Sequence, residues 1–492
     1  MRNSLILTLG ILLVMLSFTT VSASSSILQV DLDIVDSYIH GEMDELHIPG
    51  LEAVIVQKDQ VVYAKGFGIA DESGHAVTAH TPMILGSVSK GFTALAVMQL
   101  VEADKVDLDT PVTKYIPAFR FADNPDMNPP DVWKQITVRQ LLNHTSGIPE
   151  YAGANSWMSG YAGDDALERQ IASFVDFRLI HLPGSAFTYS NANYQTLGLI
   201  VQAVSGEPFE SYVQTHIFVP LEMRNSHLLV SEAKEIATGY RFFFGKPIAS
   251  PNIPFPRSDV PSAFAISTAE DMGHYLIAHM NGGRYGDVQI LLPQGIEELR
   301  YSTVDIDNGY KYAMGWAVDP DGNISHNGET PTFTSSIRIE GDWGVFVVRN
   351  IAANQREQRM EEIAPGILSI LRGEEPVQNT VDPSYRRIMI GLAVILILQI
   401  VGNISAWRKL WRHEPVQRST RTGIGITIGM LIYLSLALAL CYAGPISNHR
   451  NFIVLFQSAP DQLLLLGVNV ILALIGAITQ SFRLIRLPKV QR

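Results

Sequence analysis

Cysteine is almost absent from this 492-residue chain: Cys441 stands alone. One thiol excludes a disulfide scaffold and any Cys-based zinc or iron–sulfur centre. Cys441 lies in an apolar run and reads as a small buried hydrophobe. The 13 histidines show no His-x-His or His-x-x-x-His spacing, so neither a metal cage nor any other cofactor is expected. Positive charge is scarce where the chain is long. From Pro376 onward 12 Lys/Arg face 3 Asp/Glu, and Arg2 adds one more cation, so residues 27–375 carry −22 against a formal −12 for the whole chain. Phosphate neutralisation needs clustered Lys/Arg, which excludes nucleic acid as a partner. With 47% hydrophobic residues, the chain can build one large or two medium cores.

Long apolar runs sit at both ends. Residues 1–23 read as an export signal: Arg2, an apolar stretch from Leu5 to Phe18, then Val21-Ser22-Ala23. An uncleaved anchor is the alternative. Three further runs, about 388–407, 423–443 and 462–481, each approach the roughly 20 residues that cross a bilayer as helix. Arg408, Lys409, Arg412, Arg418 and Arg421 follow the first run, and Arg483, Arg486, Lys489 and Arg492 follow the third. The loop between the second and third has only Arg450 and His449, whereas Arg386 and Arg387 precede the first run on the opposite side. Basic residues stay inside, so residues 27–385 are expected outside, as the export signal independently requires. The expectation is a multi-pass bacterial membrane protein with an extracytoplasmic domain at 27–375, a linker at 376–387, and a basic cytoplasmic tail at 482–492.

Within 27–375, Leu51–Gln57 and Val61–Phe67 flank Lys58-Asp59-Gln60 as a β-hairpin. Val88–Ala103 has the breadth of apolar residues of a buried helix, and Tyr194–Val204 is a second helix stopped by Ser205-Gly206. Ser335–Glu340 and Val345–Asn350 form another hairpin around Gly341–Gly344, followed by a helix near 354–372. Strands at both ends with helices between predict an α+β domain whose terminal segments share one antiparallel sheet.

Three short motifs carry chemistry. In Gly86-Ser87-Val88-Ser89-Lys90, Ser87 opens the buried helix, and Lys90 lies one turn on along the same face. A buried lysine at a helix N-terminus has a lowered pKa and can activate a serine. Ser-x-x-Lys alone is weak, because Ser231-Glu232-Ala233-Lys234 repeats it. In Tyr189-Ser190-Asn191, the phenol beside a lysine cation is expected to have a lowered pKa and to shuttle a proton. The Asn191 amide can bind both the lysine and a substrate carbonyl. His326-Asn327-Gly328 is the third motif, the one His-x-Gly in the chain. Each of the three is compatible with an ordinary structural role when taken alone.

Taken in order, Ser-x-x-Lys, Tyr-x-Asn and His-x-Gly resemble the signature of the penicillin-recognising serine hydrolases. The resemblance covers about Ile27 to Leu371. It is supported by His47-Ile48-Pro49-Gly50, Leu141–Pro149 (LLNHTSGIP), Tyr189–Tyr194, Ser267-Thr268-Ala269-Glu270-Asp271 and Gly315-Trp316. It is specific to the branch of class C β-lactamases, D-aminopeptidases, esterases and low-molecular-mass penicillin-binding proteins.

The resemblance implies a serine β-lactamase-like fold, an antiparallel sheet flanked by helices plus a helical subdomain. Ser87 would form the acyl-enzyme, Lys90 and Tyr189 would move protons, and Asn191 would orient the substrate amide. His326, with Gly328, would help hold the substrate's far end where relatives carry Lys or His. The backbone N–H groups of Ser87 and Glu329 would form the oxyanion hole. Replacement of lysine by His326 favours peptidases or esterases over efficient β-lactamases. Pro261–Thr268 departs from a Gly-Gly pair common in relatives, which leaves that loop unplaced.

The tail resembles two membrane-bound subgroups, Gram-positive penicillin-binding-protein relatives and prodrug-activating D-peptidases. The latter subgroup has an acidic residue where this chain has Ile84. The implied activity is hydrolysis of D-amino-acid peptides or esters of the cell envelope, with a peptidoglycan-type or D-amino-acid-containing substrate and the lipid bilayer as partners. The alternatives are prodrug D-peptidase activity and a penicillin-sensing or wall-binding module with little turnover. Short cytoplasmic segments argue against a receptor.

Overall fold

The computed structural model describes residues 32–154, 160–251, 254–301, 303–352, 357–376, 383–411, 420–441 and 459–485. The export signal, half of the linker (377–382), the two inter-helix loops and the end of the basic tail lie outside the described residues, as does the Cys441 side chain. Helix α1 (Leu32–Leu46) leads into β1 (Gly50–Gln57) and β2 (Gln60–Gly68). Their turn is Lys58-Asp59, with Lys58 at φ +58° and Gln57 paired to Gln60. The chain then passes through β3 (Met83–Ile84), α2 (Lys90–Glu102) and α3 (Asn191–Ser205). Next come a hairpin of β4 (Tyr240–Phe243) and β5 (Lys246–Ala249), strand β6 (Ile266–Ser267), and α4 (Ala269–Met280). Strands β7 (Val304–Asp307), β8 (Tyr310–Tyr312), β9 (Ala317–Val318), β10 (Ile324–Glu329), β11 (Thr334–Glu340) and β12 (Trp343–Arg349) complete the sheet before α5 (Ile363–Leu371).

The main sheet has eight antiparallel strands in the order β2-β1-β12-β11-β10-β9-β8-β7. Strand β1 pairs with β12, Val54 opposite Phe346, so the two ends of the domain share one sheet as expected. The terminal hairpin is tighter than the sequence suggested. Strand β12 starts at Trp343 and the turn is Gly341-Asp342 alone, because Gly341 accepts a φ of +55°. Side chains alternate across β1 and β12 and build two cores. Val54, Val56, Phe346 and Val348 join α2, α3 and α4 on one face. Ala53, Ile55, Val345 and Val347 meet α1 and α5 on the other. Helix α3 begins three residues earlier than expected and ends on Gly206 at φ +79°, a left-handed stop.

After the linker come α6 (Ser384–Trp411), α7 (Thr420–Cys441) and α8 (Pro460–Ile485). Two helical stretches, Ser384–Trp411 and Pro460–Arg483, are long and apolar enough to cross a membrane. The helix between them, Thr420–Cys441, has an apolar stretch at Ile424–Leu436 among the described residues.

Candidate active site

Ser87 does not open α2 as its sequence context suggested. It lies in a 3₁₀ turn, Gly86–Ser89, and Lys90 is the first residue of the α-helix. In a 3₁₀ turn side chains three apart eclipse, and Lys90 Nζ stands 3.1 Å from Ser87 Oγ. The turn is pinned by Ser89, whose hydroxyl donates to Gly86 O at 2.6 Å and accepts from Ala265 N at 2.9 Å. Gly86 is required there. At φ +59° a Cβ would lie 2.4 Å from Glu329 N.

Lys90 is completely buried. It donates to Asn191 Oδ1 at 2.7 Å and to Ser262 O at 2.8 Å, and neither oxygen can donate in return. Burial pushes its pKa well below the ordinary lysine value, and Asp259 opposes the shift only in part. A neutral amine has two hydrogens and one lone pair. The two acceptors take the hydrogens, so the lone pair is left facing Ser87 Oγ. The carbonyl of Ser262 is a partner that sequence reasoning missed. It belongs to the loop whose position was left open, now seen as a helical turn, Val260–Ala263, leading to β6 beside β3.

Tyr189 hydrogen-bonds Ser87, and its ring lies 4.7 Å beneath Lys90 Nζ. Its pKa moves opposite to expectation. Desolvation raises it, Glu150 adds to the rise, and the bond with Ser87 offsets the shift only in part. Burial thus keeps Tyr189 a phenol, a proton donor rather than a phenolate base. The backbone after it is held by the Leu141–Pro149 segment: Ser190 N donates to His144 Nδ1 at 3.2 Å, and Ser190 Oγ donates to Pro149 O at 3.0 Å. His144, buried with its ring 4.4 Å from that of Tyr189, is a second residue whose role the sequence did not reveal. Only its place in a quoted motif hinted at one.

His326 and Gly328 lie on β10, at the register positions facing Ile337 and Ser335. A Cβ on Gly328 would lie 2.0 Å from Leu85 O and 3.0 Å from Ser87 N. The strand therefore runs against the Ser87 turn, with the main chain of Gly328 and Glu329 close to that of Gly86 and Ser87. His326 is a strand residue, buried and neutral, not a loop histidine. Its pKa is lowered to about 4, by desolvation first and Lys90 second, with its bond to the Asn327 carbonyl opposing. Nδ1 is 2.7 Å from Asn327 O and Nε2 is 3.1 Å from the Tyr312 hydroxyl. Both ring nitrogens thus have partners inside the protein, and the residue offers no charge to a substrate's far end. Ser87, Tyr189 and Asn191 are partly exposed around the fully buried Lys90, as a nucleophile beside a sheltered base requires. No cluster of three potential metal ligands occurs among the described residues.

An antiparallel sheet with helices on both faces, and a serine–lysine pair packed against its strand β10, define an active-site-serine α+β hydrolase fold. The beta-lactamase family profile matches residues 35–371, and the chain belongs to that family. It is 26% identical to protein flp of Staphylococcus aureus (strain MW2) over 458 residues, covering 90% of this chain and 89% of that protein. It is 31% identical to penicillin-binding protein 4 of Amycolatopsis lactamdurans over 315 residues, covering 61% of this chain and 80% of that one. The octameric penicillin-binding protein homologue from Pyrococcus abyssi superposes with a TM-score of 0.61 at 30% identity, covering 73% of this chain and 81% of that one.

Proposed function

We propose that the protein is a membrane-anchored, extracytoplasmic serine hydrolase that acts through an acyl-enzyme on D-amino-acid peptides or esters of the cell envelope. The observation that carries this reading is the buried Lys90 amine, 3.1 Å from Ser87 Oγ, with its other two partners both acceptors. Ser87 Oγ attacks the substrate carbonyl and its proton passes to Lys90 Nζ. The oxyanion is received by the N–H groups of Ser87 and Glu329, and the leaving group takes a proton through Tyr189. A donor of this kind is typically worth about 3 kcal/mol of transition-state stabilisation. The absence of charge at His326 favours uncharged amides or esters at that end. Two long apolar helices after the catalytic domain support the anchor, and the basic residues after the first and third runs support the orientation.

The full chain, wild type and Ser87→Ala, is incubated with a fluorescent penicillin and a fluorophosphonate. Labelling of the wild type alone supports Ser87 as nucleophile, and probe preference separates penicillin-binding from esterase chemistry. A folded protein that takes neither label sinks the hydrolase reading and favours a wall-binding module.

A further inference from the structure

The β4–β5 hairpin is unaccounted for by the chemistry. Its turn, Phe244-Gly245, holds Phe244 at φ +49° and Gly245 at +78°, and it carries more apolar surface than a solvent-facing turn needs. Phe244 is 49% exposed and Ile248 38%. The Phe243 and Phe244 rings meet edge to face at 4.8 Å, and Lys246 is exposed beside them. The tip is tied to the tail. Phe244 N donates to Asp461 Oδ2 at 2.9 Å, and Asp461 is fully buried in the first turn of α8. The same carboxylate accepts from Tyr385, in the first turn of α6, and from Gln462 N at 2.8 Å. One carboxylate therefore joins the hairpin tip to the starts of the two long apolar helices.

We propose that Phe243, Phe244, Ile248 and Lys246 lie in the headgroup layer of the bilayer that holds those helices; this rests on the membrane-anchored reading above. Phenylalanine and aliphatic side chains of an interfacial element sink to the boundary of headgroups and acyl chains, and a lysine there keeps its amine in water or against anionic headgroups. The depth follows from Asp461. A carboxylate at the helix start, bonded to a phenol and a main-chain N–H, belongs at the polar boundary and not in hydrocarbon. The hairpin's other end reaches the turn that follows β10. Tyr240 N donates to Asn350 O at 2.8 Å, and a Cβ on Gly239 would lie 2.3 Å from Thr332 Oγ1, in the turn after Glu329. One short hairpin thus joins the bilayer contact to the turn after Glu329.

The test uses the full chain in vesicles of phosphatidylethanolamine and phosphatidylglycerol. The only cysteine is replaced (Cys441→Ser), and a nitroxide is placed in turn at Lys246→Cys, Leu398→Cys and Asp342→Cys. Asp342 is exposed at the opposite end of β12 and serves as the aqueous reference. Leu398, exposed midway along α6, reports the hydrocarbon. Collision rates with oxygen and with a water-soluble nickel chelate are measured at each position. The oxygen-to-nickel ratio at Lys246→Cys is expected severalfold above that at Asp342→Cys and below that at Leu398→Cys. Adding Phe244→Asp is expected to move it toward the aqueous value. Equality with Asp342→Cys, while Leu398→Cys reads hydrocarbon, overturns the docking proposal and leaves the anchor intact. An aqueous reading at Leu398→Cys removes the anchor itself, and the docking proposal with it.

Discussion

Replacing Gly86 with alanine separates backbone strain from damage to the oxyanion pair. Gly86 has φ +59°, and the new Cβ would lie 2.4 Å from Glu329 N and 2.6 Å from Gly328 C. Two consequences follow. An alanine held in the left-handed region costs roughly 1–2 kcal/mol. The Cβ must also push β10 away from the Ser87 turn, because both contacts are to backbone. Movement of one oxyanion donor is expected to lower acylation about 10²- to 10³-fold. Gly206 supplies the control: it has φ +79°, and a Cβ there would meet nothing within 4 Å. Gly206→Ala should therefore lose a similar 1–2 kcal/mol, roughly, and keep its acylation rate. Acylation is followed by stopped-flow with a fluorescent penicillin or a chromogenic ester, and stability by thermal unfolding of the same samples. If Gly86→Ala acylates at the wild-type rate, the Ser87 and Glu329 N–H groups are not the oxyanion donors.

Lys90→Met keeps the buried volume and removes the amine, so acylation should fall by at least about 10²-fold, the usual scale of a positioned base, while thermal stability holds or rises because folding no longer weakens an amine's hold on its proton. In the wild type the acylation rate should climb with pH as Lys90 loses its proton, with an apparent pKa well below that of free lysine; a rise centred near the ordinary lysine value would contradict the burial argument. His326 has its pKa depressed from 6.5 to about 4, so the folded state binds its proton more weakly than the unfolded state does. Its contribution is fully present above pH 6.5 and is lost as pH falls toward 4, by about 3 kcal/mol at 1.36 kcal/mol per unit. His326→Gln should flatten the stability profile by that amount between those limits, and unchanged steepness in chemical denaturation would refute the assignment.

Local sequence was enough to determine several features. The apolar runs Leu51–Gln57 and Val345–Asn350, each beside a short polar or glycine turn and a second run, marked hairpin strands. The unbroken apolar stretch after Ser87 marked a helix buried all round, and Ser205-Gly206 marked the stop of another, because Gly206 accepts the left-handed turn without strain. The Ser-x-x-Lys pairing was legible since both residues lie within one turn. Tertiary structure decided the rest. The third partner of Lys90 is the carbonyl of Ser262, 172 residues away, and a backbone oxygen leaves no trace in residue identity. The direction of the Tyr189 shift depended on the burial of its own phenol, which outweighs the bond to Ser87. His326 reads the same in sequence whether its nitrogens face a substrate or, as here, Tyr312 and the Asn327 carbonyl. Burial and long-range hydrogen bonding set the charge state of each of these groups, and both exist only once the sheet and helices have packed.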